Sequence, residues 1–258
     1  MTIVLAFIAV CLAGAAQGAE RAIAAAELRS GIAFAGAAVQ AMQAADAANP
    51  GMLWVERGEE LWRGPAGAEG RSCASCHRDA ATGMRGTAAR YPAIDPESGA
   101  LFDLEARIVD CRVRRQRAAP LARESDDLLA LSTYVAHQSR GLPLAVSKSG
   151  PARAAYLRGR DYYYERRGQM NLACAHCHER AWGRRLLAET ISQGHGNAYP
   201  AYRLEWQTLG SLDRRLRACL FGIRAEVPRP GAPELVELAL FLTWRAEGLA
   251  IETPGVRR

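Results

Sequence analysis

The chain has 258 residues, of which 33 are basic and 27 acidic, so its formal net charge is +6. Lysine occurs only at Lys148, and arginine supplies the rest of the positive charge. A basic chain can bind nucleic acid, but no aromatic and basic binding motif accompanies the charge, so we expect no nucleic-acid partner. The arginines instead favour anionic small molecules or acidic proteins.

The N-terminal residues have the composition of an export signal. Residues 1–19, which include Cys11, form an uncharged apolar run followed by small residues, and this predicts a signal peptide cleaved near Ala19. Because no basic residue precedes the run, an uncleaved N-terminal anchor is the alternative. No later apolar run is long enough to cross a bilayer, so we expect a periplasmic protein with no membrane span in the mature chain.

An alanine-rich stretch follows this signal. Residues 20–49 contain few helix breakers, and the turn-forming triplet Asn49-Pro50-Gly51 should end a helix. We therefore predict an N-terminal helical extension over residues 20–52.

Two motifs of the type Cys-x-x-Cys-His dominate the rest of the chain. They are Cys73-Ala-Ser-Cys76-His77 and Cys174-Ala-His-Cys177-His178. A plain Cys-x-x-Cys pair could bind zinc or act as a redox dithiol. The histidine that follows each pair is instead typical of covalent haem attachment, in which both thiols bond to the porphyrin and the imidazole binds the iron. The sequence thus predicts two haem c groups.

The two motifs lie in matched units of sequence. Each unit has a glycine fifteen residues before its first motif cysteine. Each also has a Tyr-Pro pair that begins twenty residues before a lone cysteine, and an arginine four residues before that cysteine. The matched residues are Gly58 and Gly159, Tyr91 and Tyr199, Arg107 and Arg215, and Cys111 and Cys219. Such self-similarity indicates a duplicated domain.

Each unit closes with an apolar helical pattern, at residues 128–135 and 235–242, that runs into a Gly-Leu pair. Ser125 and Pro233 suit the beginnings of these helices. Residues 141–151 are rich in Gly, Pro and Ser and mark a boundary, and strand-like alternation is scarce. The predicted fold class is mainly α, with two tandem cytochrome c-like domains at residues 53–144 and 145–258. Each domain would complete its small core with one covalently bound haem c.

The second axial ligand of each iron is the open question. Cys111 and Cys219 lie outside the haem motifs and could form a disulfide with each other. Their matched positions favour one thiolate for each iron, which pairs His77 with Cys111 and His178 with Cys219. The main competing ligand is His195 for the second haem.

Other competing ligands are weaker. His137 is a rival for the first haem, but it falls within the closing helix, where its counterpart is Trp244, so we expect it to be a packed or surface residue. Met84 lies seven residues after its motif and has no counterpart in the second unit, and Met170 directly precedes the second haem motif. We therefore keep the two lone cysteines as the predicted ligands.

Arginines flank both lone cysteines. Those near Cys219 are Arg214, Arg215, Arg217 and Arg224, and those near Cys111 are Arg107, Arg112, Arg114 and Arg115. Positive charge lowers the pKa of a thiol and attracts an oxyanion, although some of these arginines should hold haem propionates. A thiolate ligand also lowers the iron potential, so sulfur chemistry is favoured over high-potential electron transport.

Motifs along the whole chain after the signal resemble one family, the dihaem form of SoxA, the larger subunit of the SoxAX cytochrome of sulfur-oxidising bacteria. The matching segments are residues 49–58, Trp182-Gly183, Thr190-Ile-Ser-Gln-Gly-His195, Tyr199-Pro-Ala-Tyr-Arg-Leu-Glu-Trp206, Gly210-Ser-Leu212, residues 215–219, Arg224-Ala-Glu226 and Glu252-Thr-Pro254. Their occurrence in this order makes the resemblance specific.

The resemblance implies an L-cysteine S-thiosulfotransferase that pairs with SoxX, a small cytochrome with one haem. The pair would couple thiosulfate to a cysteine of the carrier SoxYZ, giving a cysteine S-thiosulfonate and two electrons that pass to a small cytochrome c. It also implies that Cys219 is both iron ligand and catalytic residue, often as a persulfide, and that Arg215 is the active-site arginine. The first haem, with His77 and Cys111, would not be required for turnover.

Two other functions stay open at this point. A plain dihaem electron-transfer protein would have His195 on the second iron and a disulfide between Cys111 and Cys219. A dihaem peroxidase would need one haem iron with an open coordination position. The sulfur-transfer function instead needs the sulfur of Cys219 at the second iron.

Overall fold

The computed structural model describes residues 23–258, so the predicted signal peptide lies outside the described residues. Over this range the chain is mainly helical, as predicted, and no helix in it is both long and apolar enough to span a bilayer. The α-helices are α1 (Ala37–Ala44), α2 (Met52–Arg63), α3 (Cys73–His77), α4 (Ala80–Gly83), α5 (Leu104–Gln116), α6 (Asp126–His137), α7 (Arg153–Tyr164), α8 (Cys174–His178), α9 (Leu212–Gly222) and α10 (Pro233–Arg245). The strands are β1 (Ala93–Ile94), β2 (Leu101–Phe102), β3 (Arg185–Leu186), β4 (Glu189–Thr190), β5 (Ala201–Arg203), β6 (Thr208–Gly210) and β7 (Gly255–Arg257).

Two helix crossings explain the matched glycines. Helix α2 packs against α6, and α7 packs against α10. A Cβ atom on Gly58 would lie 2.2 Å from the carbonyl oxygen of Ala130, and one on Gly159 would lie 2.0 Å from that of Glu237. Only a residue without a side chain lets the paired backbones approach this closely. The glycine fifteen residues before each haem motif is therefore a packing requirement.

The closing helices begin where the sequence places them. The Ser125 hydroxyl accepts a hydrogen bond from the Leu128 amide at 3.4 Å, and Pro233 is the first residue of α10. Both helices are buried along most of their length because each packs on a cluster of aromatic and aliphatic side chains. The first cluster contains Trp62, Leu131 and Tyr134, and the second contains Tyr156, Tyr163, Phe241 and Trp244. Each haem motif lies at the edge of one cluster, since Cys73 packs against the first and Cys174 against the second.

The predicted boundary region is held in place by backbone pairing. The amide of Gly141 donates to the carbonyl of Ile251, and the amide of Ile251 donates to the carbonyl of Leu142, both at 2.9 Å. The segment after α6 thus pairs with the segment after α10. This pairing joins the ends of the two closing helices, so the Gly/Pro-rich stretch does not act as a free tether.

The N-terminal extension differs from its prediction. Between residue 23 and the start of α2 it consists of the short helix α1 and three 3-10 turns, so the prediction of a continuous helix was wrong. Tertiary contacts override the alanine-rich propensity. The side chain of Gln193 accepts from the Arg29 amide and donates to the Glu27 carbonyl, both at 2.8 Å. The extension therefore lies against the second unit.

A small sheet was missed because its strands are too short for a clear alternation. Strand β5 pairs with β6 in antiparallel fashion and with β7 in parallel, in the order β6-β5-β7. Helix α9 begins directly after β6, where the Ser211 hydroxyl accepts from the Arg214 amide at 3.0 Å. The sheet thereby fixes the start of the helix that carries Cys219, and it places Arg203 at the end of β5.

Candidate functional site

Helices α8 and α9 bring the second haem motif and a lone cysteine together. The His178 ring hydrogen bonds to the Cys219 thiol. Burial raises the pKa of Cys174 and of Cys177, and the nearby charge of Cys219 raises both pKa values further. The four side chains that the sequence assigned to the second haem thus form one cluster.

The imidazole of this cluster is oriented from its far side. The Nδ1 atom of His178 lies 2.8 Å from the Ser192 carbonyl, and because a carbonyl only accepts, Nδ1 carries the proton. A Cβ atom on Gly194 would lie 2.7 Å from the His178 ring, so this glycine, at φ +76°, lets the backbone support the imidazole. Nε2 is then the nitrogen left to face Cys219, as metal-binding histidines require.

The competing ligand assignments find no support in this geometry. His195 follows the segment that contacts the Nδ1 side of His178, and its Nε2 atom lies 3.2 Å from the Gln193 side-chain oxygen. The six cysteines of residues 23–258 are all free thiols. Cys111 and Cys219 lie beside different haem motifs, so the structure forms no disulfide between them.

The first haem motif has the same partners in a more open setting. Cys111 lies close enough for its charge to raise the pKa of Cys73, after the larger effect of burial. The exposed His77 ring packs 5.7 Å from Trp62, centroid to centroid. His137 is indeed a packed residue, with Nδ1 3.2 Å from the Thr253 carbonyl.

The arginine of the first unit is neutralised. Arg107 lies 2.5 Å from Asp95, which is 1% exposed, and 3.2 Å from Asp110. Its guanidinium also stacks 5.0 Å from the centre of the Phe102 ring. Burial raises the pKa of the Cys111 thiol, and the nearby arginines do not reverse this shift because Asp110 opposes them.

The second unit changes each of these neighbours. The residue sixteen positions before the lone cysteine is Asp95 in the first unit and Arg203 in the second, and the residue directly before it is Asp110 or Ala218. Within residues 23–258, Arg215 forms no salt bridge, although Glu205 and Glu189 act on it from a greater distance. A pair of arginines thus replaces an arginine held by two carboxylates.

This change of charge alters the thiol. Burial by itself would raise the pKa of Cys219, but the hydrogen bond with His178 and the charges of Arg215, His178 and Arg203 outweigh it and lower the pKa to about 7. A large fraction of Cys219 is therefore thiolate at neutral pH, the form that binds metals and acts as a nucleophile.

Two of the other arginines predicted near Cys219 have side chains that contact other groups. Arg214 stacks 4.2 Å from the Trp206 ring centre, and Arg217 donates from Nε to the Pro228 carbonyl at 3.0 Å. The backbone carbonyl of Arg224 accepts from the amide of Gln169. Arg203 was missed because it is far from Cys219 in sequence. Aligning the two units on their lone cysteines would have found it opposite Asp95.

The donor set fits a covalently bound haem c. Two thiols lie one helical turn apart on α8, the adjacent imidazole has its Nδ1 atom held, and a low-pKa sulfur lies on the Nε2 side. Soft sulfur together with imidazole is a ligand pair that iron in haem accepts.

Comparisons with known proteins agree with this reading. The family model described as SoxA/TsdA, cytochrome c domain, matches residues 57–144, which places covalent haem c chemistry in this chain. The chain is 41% identical over 230 residues to the L-cysteine S-thiosulfotransferase subunit SoxA of Pseudaminobacter salicylatoxidans, covering 89% of this chain and 80% of that relative. It is 37% identical to the subunit of the same name from Rhodovulum sulfidophilum, covering 90% of this chain and 80% of the relative.

A solved structure resembles the whole described fold. The crystal structure of SoxXA from P. pantotrophus matches with a TM-score of 0.87 at 32% sequence identity, and the match covers 90% of this chain and 87% of that one. Sequence similarity of this extent, the cysteine-histidine cluster and the matched fold lead to the same family. This chain belongs to the SoxA family of L-cysteine S-thiosulfotransferase subunits.

Proposed function

We propose that this chain is the SoxA subunit of a periplasmic two-protein cytochrome that couples thiosulfate to a cysteine of a carrier protein. One observation carries the proposal: a thiol of lowered pKa, Cys219, lies against His178 beside an arginine that has no carboxylate partner in the described residues. An anion can bind such an arginine next to a sulfur atom that is already ionised.

The reaction joins two sulfur atoms. The terminal sulfur of thiosulfate bonds to the carrier cysteine sulfur, the thiol proton is released, and two electrons leave, so that the product is a cysteine S-thiosulfonate. In this chain Arg215 binds a sulfonate oxygen and holds the dianion near Cys219. Arg215 and Cys219 are both partly buried, which strengthens this contact. Cys219 supplies the protein sulfur atom beside which the terminal sulfur of thiosulfate reacts.

We propose two haem c groups for the chain. Cys73, Cys76 and His77 would hold the first with Cys111, and Cys174, Cys177 and His178 would hold the second with Cys219. When bound, each haem accepts and passes on single electrons. The duplicated landmarks and the closeness of each lone cysteine to its own motif support this assignment.

The proposed partners follow from the family. A small monohaem cytochrome, SoxX, would form the heterodimer, and the match to the crystal structure of SoxXA supports this pairing. SoxYZ would supply the carrier cysteine, and a small cytochrome c would take the electrons. The uncharged apolar residues 1–19 support export to the periplasm.

The test is Cys219→Ser in the purified complex with SoxX and SoxYZ. We expect thiosulfate-dependent cytochrome c reduction to be lost, because a hydroxyl neither ionises near neutral pH nor transfers sulfur. Cys111→Ser is the matched control and should keep most of the activity. Turnover by Cys219→Ser at the wild-type rate would remove this residue from the mechanism.

The electron-transfer alternative is not favoured, because it needs the sulfur of Cys219 to be in a disulfide, whereas Cys219 is a free thiol hydrogen bonded to His178.

A further inference from the structure

Arg203 has an unpaired hydrogen-bond donor deep in the protein. Its side chain is 8% exposed, and the Nε atom is buried without an acceptor among residues 23–258. Its Nη2 atom forms a salt bridge at 3.2 Å with Glu205, whose side chain is 53% exposed. A buried guanidinium nitrogen without an acceptor is unfavourable unless an additional group binds there. The Nε–H group of Arg203 can therefore donate a hydrogen bond to a bound anion.

Neighbouring residues hold this guanidinium in place. The Trp206 ring lies 5.0 Å from the Arg203 guanidinium carbon. Gly210 makes room for that ring, because a Cβ atom there would lie 2.4 Å from it, and in the first unit the equivalent position is Phe102. Stacking on an aromatic face pre-orders the planar donor group and lowers the entropy lost on binding.

The position of Arg203 is also one at which the side chains of the two units have opposite charges. Asp95, its counterpart, neutralises Arg107. Thiosulfate is a dianion with three sulfonate oxygens, which two arginines can share, whereas one arginine between two carboxylates cannot bind it. We propose that Arg203 is a second substrate-binding residue, which binds a sulfonate oxygen of thiosulfate together with Arg215. This inference rests on the proposed function.

The experiment uses the haem-loaded complex with its partner and carrier. Arg203→Gln should raise the KM for thiosulfate about 10- to 100-fold, the usual effect of losing a charged hydrogen bond, with kcat changed by less than about threefold. Arg203→Lys should recover part of the loss, because it keeps the charge but not the two-nitrogen donor plane. Arg214→Gln is the control, since Arg214 stacks on the same Trp206 ring, whereas the main arginine charges that lower the pKa of Cys219 are those of Arg215 and Arg203.

A second readout does not depend on turnover. Without the carrier, thiosulfate binding to the oxidised complex is measured by calorimetry, and the dissociation constant should rise with Arg203→Gln in proportion to KM. Unchanged KM and dissociation constant, together with a shifted reduction potential of the second haem, would show that Arg203 binds a propionate and would overturn the inference. If Arg203→Gln does not fold, Arg203→Lys decides, because an unchanged KM in that variant also contradicts the proposal.

The two proposals can fail separately. Wild-type complex that neither binds nor consumes thiosulfate would refute the proposed function itself, and with it this inference. If the wild-type complex turns over thiosulfate and substitution of Arg203 leaves the KM unchanged, only the inference is refuted.

Discussion

The matched arginines of the two units should respond in opposite ways to the same substitution. Arg107 is bound to Asp95 and Asp110, whereas Arg215 has no salt bridge within residues 23–258. Arg107→Ala therefore leaves the buried Asp95 carboxylate without its main cation. Arg215→Ala leaves no carboxylate behind, since its partner in the proposed reaction is the substrate.

The magnitudes follow from these contacts. Loss of one charge-assisted hydrogen bond, worth about 1.5–3 kcal/mol, should lower kcat/KM of Arg215→Ala about 10- to 150-fold. Its Tm should change by less than about 3 °C, because the removed group has no protein counter-charge. For Arg107→Ala, Asp95 keeps only its hydrogen bonds from the Ser98 amide and hydroxyl at 2.8 and 2.6 Å. We expect a Tm lower by roughly 5 °C or more and a kcat/KM within about threefold of wild type.

The assay pairs thiosulfate-dependent cytochrome c reduction with thermal unfolding of the same haem-loaded preparations. The haem content of each variant is measured first, so that loss of cofactor is not mistaken for loss of catalysis. Equal losses of activity in Arg107→Ala and Arg215→Ala would show that both arginines serve the haems. That result would contradict the assignment of Arg215 to the substrate.

Two further expectations concern stability. Gly159→Ala should lower the Tm, because its Cβ would lie 2.0 Å from the Glu237 carbonyl oxygen and the overpacking costs about 1–3 kcal/mol, whereas the control Gly222→Ala, with no atom within 4 Å, should be neutral or stabilising. An unchanged Tm for Gly159→Ala would mean that the helix crossing relaxes freely. Burial raises the pKa of Glu105 from 4.5 to about 8, so the folded protein binds an extra proton and loses stability as pH rises through this range. Glu105→Gln should show a smaller fall in Tm between about pH 5 and 8 than wild type, and parallel curves would contradict it.

Local signals in the sequence were sufficient for the parts of the fold that short-range chemistry decides. Ser125 and Pro233 begin their helices as predicted, since an N-cap hydroxyl and a proline at the first turn act within three residues. The matched glycines, Gly58 and Gly159, were recognised by spacing alone, and their reason is a backbone contact with a helix about 70 to 80 residues away. Spacing reveals that a residue is constrained before the constraint itself is known.

Long-range contacts explain what the sequence did not reveal. The alanine-rich N-terminal extension has the composition of one helix, but its backbone contacts Gln193 and breaks into short turns. The charge around Cys219 was assigned to Arg214, Arg217 and Arg224 because they are near in sequence. The side chains of Arg214 and Arg217 instead contact the Trp206 ring and the Pro228 carbonyl, whereas the charge of Arg203, on strand β5, lowers the pKa of the thiol.

The two matched units place the same landmarks in different charge environments. The cysteine-bearing helices begin with equivalent polar caps, Asp103 and Ser211, and each places its cysteine beside a haem motif. What differs is the charge of a few neighbours. Where the first unit has Asp95 and Asp110, the arginine is saturated and the pKa of Cys111 is raised.

Where the second unit has Arg203 and Ala218, Arg215 forms no salt bridge within residues 23–258, and the pKa of Cys219 is lowered. In the proposed function, the positive charge that helps to lower the pKa of the thiol also attracts a dianion to it, so the same residues would serve thiol activation and substrate binding. A saturated arginine can do neither, because its field is cancelled at short range by the carboxylates that hold it. The proposed difference in function between the two cysteine sites therefore depends on how their arginines are paired, since Arg107 is bound to Asp95 and Asp110 whereas Arg215 forms no salt bridge within residues 23–258.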